Sequence, residues 1–123
     1  MNFYVCEHCN SVITHMKNSG LPVICCGQKM KFLAPERIGA AEKHFPEVTV
    51  ENNKVTIDVS AVEHPMAREH YIEWIVLETS NGNQMIKLSP SDKPKAEFYV
   101  ANDTKLIAAY AHCNLHGLWK NLL

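Results

Sequence analysis

The sequence predicts a mostly β protein in which a small cysteine-rich module is followed by an antiparallel β-sandwich. Short segments that alternate apolar and polar residues are separated by turn residues, and no segment keeps the period of an amphipathic helix. Four of the five cysteines fall in residues 1–36, which contain few large apolar side chains. A segment that short buries too little surface to fold alone, so we expect a bound metal to stabilise it.

The stretch at residues 34–39, Ala-Pro-Glu-Arg-Ile-Gly, is predicted to link the two parts. It divides the chain into a metal-binding domain at residues 1–36 and a sandwich domain at residues 37–123. Strands are expected in the second domain on either side of three turns that contain asparagine. They lie at residues 47–51 and 54–59, at 71–79 and 84–88, and at 96–100 and 105–111.

The composition argues against several classes of function. Lys and Arg number 12 and Asp and Glu 13, a formal charge of -1, so nucleic acid is not an expected partner. No apolar run reaches the ~20 residues that span a membrane, and residues 1–5 lack the basic and apolar regions of a signal peptide. We therefore expect a cytoplasmic protein without a membrane partner. An odd number of cysteines in such a chain indicates reduced thiols rather than a disulfide framework.

The first candidate metal site consists of four cysteines. Cys6 and Cys9 are spaced C-x2-C, and the adjacent pair Cys25 and Cys26 follows sixteen positions after Cys9. Two thiolates three residues apart can reach one metal from a tight turn, and four thiolates suit tetrahedral iron or zinc. The spacing leaves the choice between iron and zinc open, and it also allows a purely structural zinc knuckle. His8 and His15 lie in the same segment and are interpreted as surface histidines.

The second candidate site gathers histidines around one cysteine. Its members, each at an end of a predicted strand, are His44, His64, His70, Cys113 and His116. Neutral imidazoles and one thiolate suit iron, copper or zinc, and a single strong thiolate among several histidines favours a redox metal. Five protein ligands leave one octahedral position open. Lys43 beside that opening would attract an anion, and Glu42 could cap the oxidised metal.

Other readings of these residues stay open at this point. A lone cysteine such as Cys113 is often a buried free thiol, and it could also be a nucleophile activated by His112 or His116. His112 directly precedes Cys113 and would point the opposite way in a strand, so it is left out of the proposed site. Trp74 and Trp119 are expected to pack in the core or to wall the metal pocket.

Taken together and in order, these motifs resemble desulfoferrodoxin, the two-iron superoxide reductase family, over essentially the whole chain. The first part is similar to desulforedoxin through Cys6, Cys9 and the Cys25-Cys26 pair. The second part resembles the neelaredoxin-type reductase domain. Its motifs are E-K-H at 42–44, E-H-P-M at 63–66, H-Y-I-x-W at 70–74 and C-N-x-H-G-x-W-K at 113–120.

The resemblance implies a desulforedoxin-like or rubredoxin-like knuckle followed by an immunoglobulin-like β-sandwich, assembled as a homodimer. It implies two irons per chain, one on the four cysteines and one on four equatorial histidines with Cys113 as the axial thiolate. Glu42 would ligate the ferric resting form and Lys43 would guide superoxide. The implied reaction reduces superoxide to hydrogen peroxide, with electrons from a donor such as rubredoxin.

Two rival functions remain on the sequence alone. The chain could be an electron carrier in which only the four-cysteine iron works, or a zinc-stabilised binding module on a β-sandwich. A second bound iron would argue against the carrier, and colourless native protein with zinc at both sites would favour the binding module.

Overall fold

A computed structural model of the chain describes residues 1–36, 44–59 and 64–123. It divides into two compact units, Met1–Ala34 and Pro35–Leu123. The described ranges contain twelve β-strands, numbered β1 to β12 along the chain. Within those ranges, no helix is long and apolar enough to cross a membrane. The predicted mostly β, antiparallel fold is confirmed.

The first unit has very short strands. They are β1 (Phe3–Val5), β2 (Val12–Thr14), β3 (Ile24–Cys25), β4 (Gln28–Lys29) and β5 (Lys31–Phe32). β1 is the central strand of an antiparallel sheet ordered β2-β1-β5, and β3 forms a separate hairpin with β4. Phe3 and Cys6 are the only buried residues among positions 1–36. So small a core contributes little apolar burial, which agrees with the need for a metal.

In the described part of the second unit, seven strands form two antiparallel sheets. They are β6 (Glu47–Glu51), β7 (Lys54–Asp58), β8 (Ile72–Thr79), β9 (Gly82–Lys87), β10 (Lys95–Tyr99), β11 (Leu106–Cys113) and β12 (Gly117–Leu122). One sheet has the order β10-β7-β6 and the other β12-β11-β8-β9. The predicted hairpins at residues 52–53 and 81–83 join β6 to β7 and β8 to β9.

The turn at residues 101–104 connects strands of two different sheets, which the sequence did not indicate. The amide of Thr104 donates to the carbonyl of Ala101 at 3.3 Å, as in a β-turn. However, β10 pairs with β7 whereas β11 pairs with β8 and β12. The chain therefore changes sheets at this turn, which is how a sandwich is closed.

The core of this unit lies between the inner faces of the two sheets. Alternate residues of β7 and β10 point inward, as shown by buried Val55, Ile57, Ala96 and Phe98. From the other sheet, β8 and β11 contribute buried apolar residues that include Ile75, Leu77, Ala109 and Ala111. Cys113, the last residue of β11, belongs to the same cluster and is fully buried.

A β-bulge sets the direction of Cys113. His112 pairs with Trp74 but Cys113 pairs with Ile72, so Glu73 is an extra residue on β8. The shift allows Ile72 and Cys113 to face the core while His112 and Trp74 face away from it. A cysteine side chain at the end of a buried strand, held by its neighbours on both sides, is a rigid base for a site.

Candidate metal centres

The four cysteines of the first unit lie around one point. Their sulfurs are all within 4.8 Å of one another. Cys9 Sγ lies 3.7 Å from Cys25 Sγ, and Cys25 Sγ lies 4.0 Å from Cys26 Sγ. Sulfurs about 2.3 Å from a tetrahedral metal are about 3.8 Å apart, so these spacings fit a four-thiolate metal. They are far too long for disulfides, whose sulfurs lie about 2.05 Å apart.

Two tight turns present these sulfurs. In the first turn, the amide of Cys6 donates to the carbonyl of Ser11 at 2.9 Å. The amide of Asn10 donates to the carbonyl of Cys6 at 2.7 Å. At the second turn, Cys26 and Gly27 both have positive φ, 52° and 73°, between the paired residues Cys25 and Gln28. This is the backbone of a two-residue hairpin turn, and it explains why glycine follows the cysteine pair.

The electrostatics of the knuckle favour a bound cation. Hydrogen bonds from the Ser11 side chain and amide lower the pKa of Cys9 to about 6. Contacts with Cys6 and Cys9 raise the pKa of Cys25 to about 12, because neighbouring sulfurs share protons rather than ionise together. Without a metal, complete ionisation of the four thiols is therefore unfavourable near neutral pH, and a metal would replace the protons they hold.

The residues of the second site come from four separate places in the sandwich. His44 precedes β6, His64 and His70 lie between β7 and β8, Cys113 ends β11, and His116 lies in the turn to β12. The structure brings all five together. Glu42 and Lys43 lie outside the described residues.

The four imidazoles form a closed ring of edge-to-face contacts. Going round it, the ring centroids are 4.6 Å apart for His44 and His64, 4.8 Å for His64 and His70, 4.9 Å for His70 and His116, and 4.8 Å for His116 and His44. Four imidazoles bound in a square at about 2.1 Å from one metal would have neighbouring centroids about 4.5 Å apart. The observed ring is close to that arrangement.

The atoms that face the centre of the ring are also at ligand spacing. His44 Nε2 lies 3.1 Å from His116 Nδ1. Two nitrogens at a right angle and about 2.1 Å from one metal are about 3.0 Å apart. Cys113 Sγ lies 3.7 Å from His116 Nδ1, and the ligand atoms of His44, His64, His70 and Cys113 all lie within 4.8 Å of one another. The donor set fits one first-row transition metal.

The tautomer of His64 is fixed by its own loop. His64 Nδ1 lies 2.6 Å from the carbonyl oxygen of Pro65, and since a carbonyl only accepts, Nδ1 carries the proton. Nε2 then keeps a lone pair, is buried and has no hydrogen-bond partner among the described residues. Burial lowers the pKa of His64 to about 4. A buried, neutral imidazole with a free lone pair is the form that binds metals.

The surroundings of Cys113 act on the ionisation of its thiol in two opposite ways. Burial raises the pKa of its thiol, and this is opposed by hydrogen bonds from the backbone N–H groups of Leu115 and His116 to the sulfur. These amides come from the turn that also presents His116. The turn therefore both supplies a nitrogen and stabilises charge on the sulfur.

The structure also shows where the remaining aromatic and histidine residues lie relative to the two sites. The indole of Trp119 stacks on His44 with centroids 4.8 Å apart and planes at 13°, so it walls the pocket as expected. His112 lies away from the cluster, stacks on Trp74 and bonds Glu73 at 2.9 Å. His8 is exposed, and His15 contacts Tyr4 at the surface of the first unit.

Some supporting residues were not singled out in the sequence. Ser11 bonds the sulfur of Cys9, with Oγ 3.1 Å from Sγ. Asn121 Nδ2 donates to the carbonyl of Pro46 at 3.0 Å and so holds the segment that carries His44. Asn114 makes a similar link to the loop of His70. The motif C-N-x-H-G at 113–117 was a signal for Asn114, but its partners could not be found without the fold.

Comparisons with known proteins agree with this geometry. The profile of the family described as Desulfoferrodoxin matches residues 36–122. The desulfoferrodoxin of Clostridium acetobutylicum is 38% identical over 122 residues, 98% of this chain and 94% of that protein. The crystal structure of the superoxide reductase from Treponema pallidum superimposes with a TM-score of 0.82 at 33% identity, over 98% of this chain and 95% of that one. A superoxide reductase from Giardia intestinalis is 34% identical with a TM-score of 0.56, over 66% of this chain and 96% of its own.

Proposed function

The chain belongs to the desulfoferrodoxin family, and from this premise we propose that it is a superoxide reductase, an oxidoreductase that reduces superoxide to hydrogen peroxide. The observation that carries the proposal is the closed ring of four imidazoles with the buried Cys113 thiol beside it. Such a donor set has too little sulfur for a typical structural zinc site and suits a redox metal.

We propose iron as that metal, which His44, His64, His70, His116 and Cys113 would hold. Bound iron would supply the single electron that converts superoxide to the peroxide level. The chain's own part is to hold the five ligands in place before the metal arrives. Stacking on Trp119 orients His44, and the Pro65 carbonyl orients His64.

The Cys113 thiolate would supply negative charge to the bound metal. The amides of Leu115 and His116 bond its sulfur, and they limit how strongly the thiolate donates. Glu42 and Lys43 come from the sequence motif E-K-H. We propose that Lys43 attracts the superoxide anion and that Glu42 would be a ligand of the oxidised metal.

The four-cysteine knuckle is proposed as an accessory centre that also stabilises the first unit. Its sulfur spacings suit iron and zinc equally, and we propose a rubredoxin-like iron there in the active protein. An external donor such as rubredoxin would return the electron to the histidine site. As in the family, we propose that the chain works as a homodimer in the cytoplasm, with residues 1–36 and 37–123 as its two domains.

The decisive experiment is rapid mixing of the fully reduced protein with superoxide, with peroxide and dioxygen counted. We expect one hydrogen peroxide per superoxide, no dioxygen, and a final visible band from a ferric thiolate. A matched Cys113→Ser variant should lose that band and the fast reaction. If the parent shows only slow bleaching, the histidine site is not a reductase and the electron-carrier function gains support.

A further inference from the structure

The side chain of Asn114 lies between two segments that carry proposed metal ligands. Asn114 directly follows Cys113, and its partners Glu69 and Tyr71 flank His70. Oδ1 accepts from the amide of Tyr71 at 2.9 Å, and Nδ2 donates to the carbonyl of Glu69 at 3.0 Å. The amide of Asn114 also donates to the carbonyl of Tyr71 at 3.2 Å. These bonds join positions more than forty residues apart in the chain.

Asn114 lies just beyond the end of the β-ladder between β8 and β11. The backbone pairing of β8 with β11 ends where Ile72 meets Cys113. Just beyond it, the amide side chain of Asn114 offers one acceptor and one donor, as a peptide group does. Together with the backbone bond from Asn114 to Tyr71, its two side-chain bonds extend the connection between the segments past the end of the ladder, on either side of His70.

Backbone hydrogen bonds within the loop that carries His70 also restrict its movement. His70 and Ala67 exchange two backbone hydrogen bonds, both of 3.0 Å, which close a tight turn. Movement of His70 relative to Cys113 is therefore a movement of this whole turn relative to the end of β11. The side chain of Asn114 bonds the residues on both sides of His70. It can therefore affect the position of His70 without touching the metal.

We propose that Asn114 is a positioning residue that sets the distance between His70 and Cys113 at the histidine metal centre. The inference rests on the proposed function only in that this centre binds iron. Loss of partners that orient metal ligands typically reduces metal affinity or activity by about 10- to 100-fold. We expect loss of the Asn114 side chain to increase the rate of metal release by the same factor.

The test compares Asn114→Ala with Asn53→Ala in the iron-loaded full-length protein. Asn53 is a matched control because its Nδ2 also bridges distant segments, with bonds of 2.8 Å to the carbonyl of Val100 and to Asn102 Oδ1. It lies at the β6–β7 turn, and its side-chain partners are Val100 and Asn102 rather than any of the four described histidines or Cys113. The readouts are the rate of iron release to a ferrous chelator and the position of the ferric thiolate band.

We expect Asn114→Ala to release iron from the histidine site about 10- to 100-fold faster than the parent and to shift the band. Release from the four-cysteine site should not change, which provides an internal control. Asn53→Ala should alter neither readout, and a lower unfolding temperature in both variants would not affect this comparison. Equal release rates and identical bands in the two variants would overturn the proposal.

A second variant covers the case in which the alanine protein does not fold. Asn114→Asp keeps the volume of the side chain and an oxygen for the Tyr71 amide, but it loses the donor to Glu69. A new negative charge near a cation would by itself slow release, so faster release supports positioning and unchanged or slower release contradicts it. None of these readouts uses superoxide. A parent that binds iron but does not reduce superoxide would refute the function and leave this test intact.

Discussion

Acid should destabilise the metal-free protein through His64. This ring is 2% exposed, and burial lowers its pKa from 6.5 to about 4. The folded state therefore prefers the neutral ring, whereas the unfolded chain takes up a proton once the pH falls below 6.5. Stability from this group is complete above pH 6.5 and is lost as the pH falls towards 4. With about 1.36 kcal/mol per pKa unit, the loss is about 3 kcal/mol.

The assay is urea unfolding of the metal-free protein and of His64→Gln at several pH values between 7 and 4. Other buried groups, such as His112, add their own pH dependence to both proteins, so the difference between parent and variant isolates His64. We expect that difference in unfolding free energy to fall by about 3 kcal/mol over the range. A difference that stays constant with pH would show that the His64 ring is not held in its neutral form.

Three further predictions concern other parts of the molecule. Lys43→Ala should slow the second-order reaction with superoxide, and added salt should slow the parent more than the variant; equal salt dependence would rule out steering. Cys26→Ser should remove the metal from the four-cysteine site while elemental analysis still finds one metal at the histidine site; loss of both metals would contradict independent binding. Phe98→Ala should cost about 3–5 kcal/mol in urea unfolding. Tyr99→Ala, at a neighbouring position that is 66% exposed, should change stability by less than about 0.5 kcal/mol.

Much of the fold could be predicted because its signals are local. The hairpins around residues 52–53 and 81–83 follow from alternating strands and from residues that tolerate positive φ, such as Asn52 and Gly82. The cysteine spacing likewise indicates a metal knuckle without any knowledge of the fold. These features depend on residues that are neighbours in the chain.

The parts that could not be predicted depend on distant partners. Strand β12 was not predicted, because Leu118 and Trp119 are both buried and the segment lacks a period of two. The change of sheet after β10 is invisible in the chain because residues 101–104 form an ordinary turn. The candidate ligands could be chosen from motifs, but the partners of Asn114 and Asn121 lie 43 to 75 positions away and only appear once the sheets are paired.

The interlocked imidazoles have a consequence for which ions the site can accept. Each of the four rings presses its edge or face against two others, so no single ring can retreat without disturbing its neighbours. An ion of larger radius would have to move several rings together, and two of them, His44 and His64, are buried with 1% and 2% exposure and so have close-packed neighbours behind them. Donor atoms alone rank first-row ions by a general order of affinity that proteins do not control. The buried pair His44 and His64 therefore adds selection by ion size, and this selection comes from contacts between the ligands themselves.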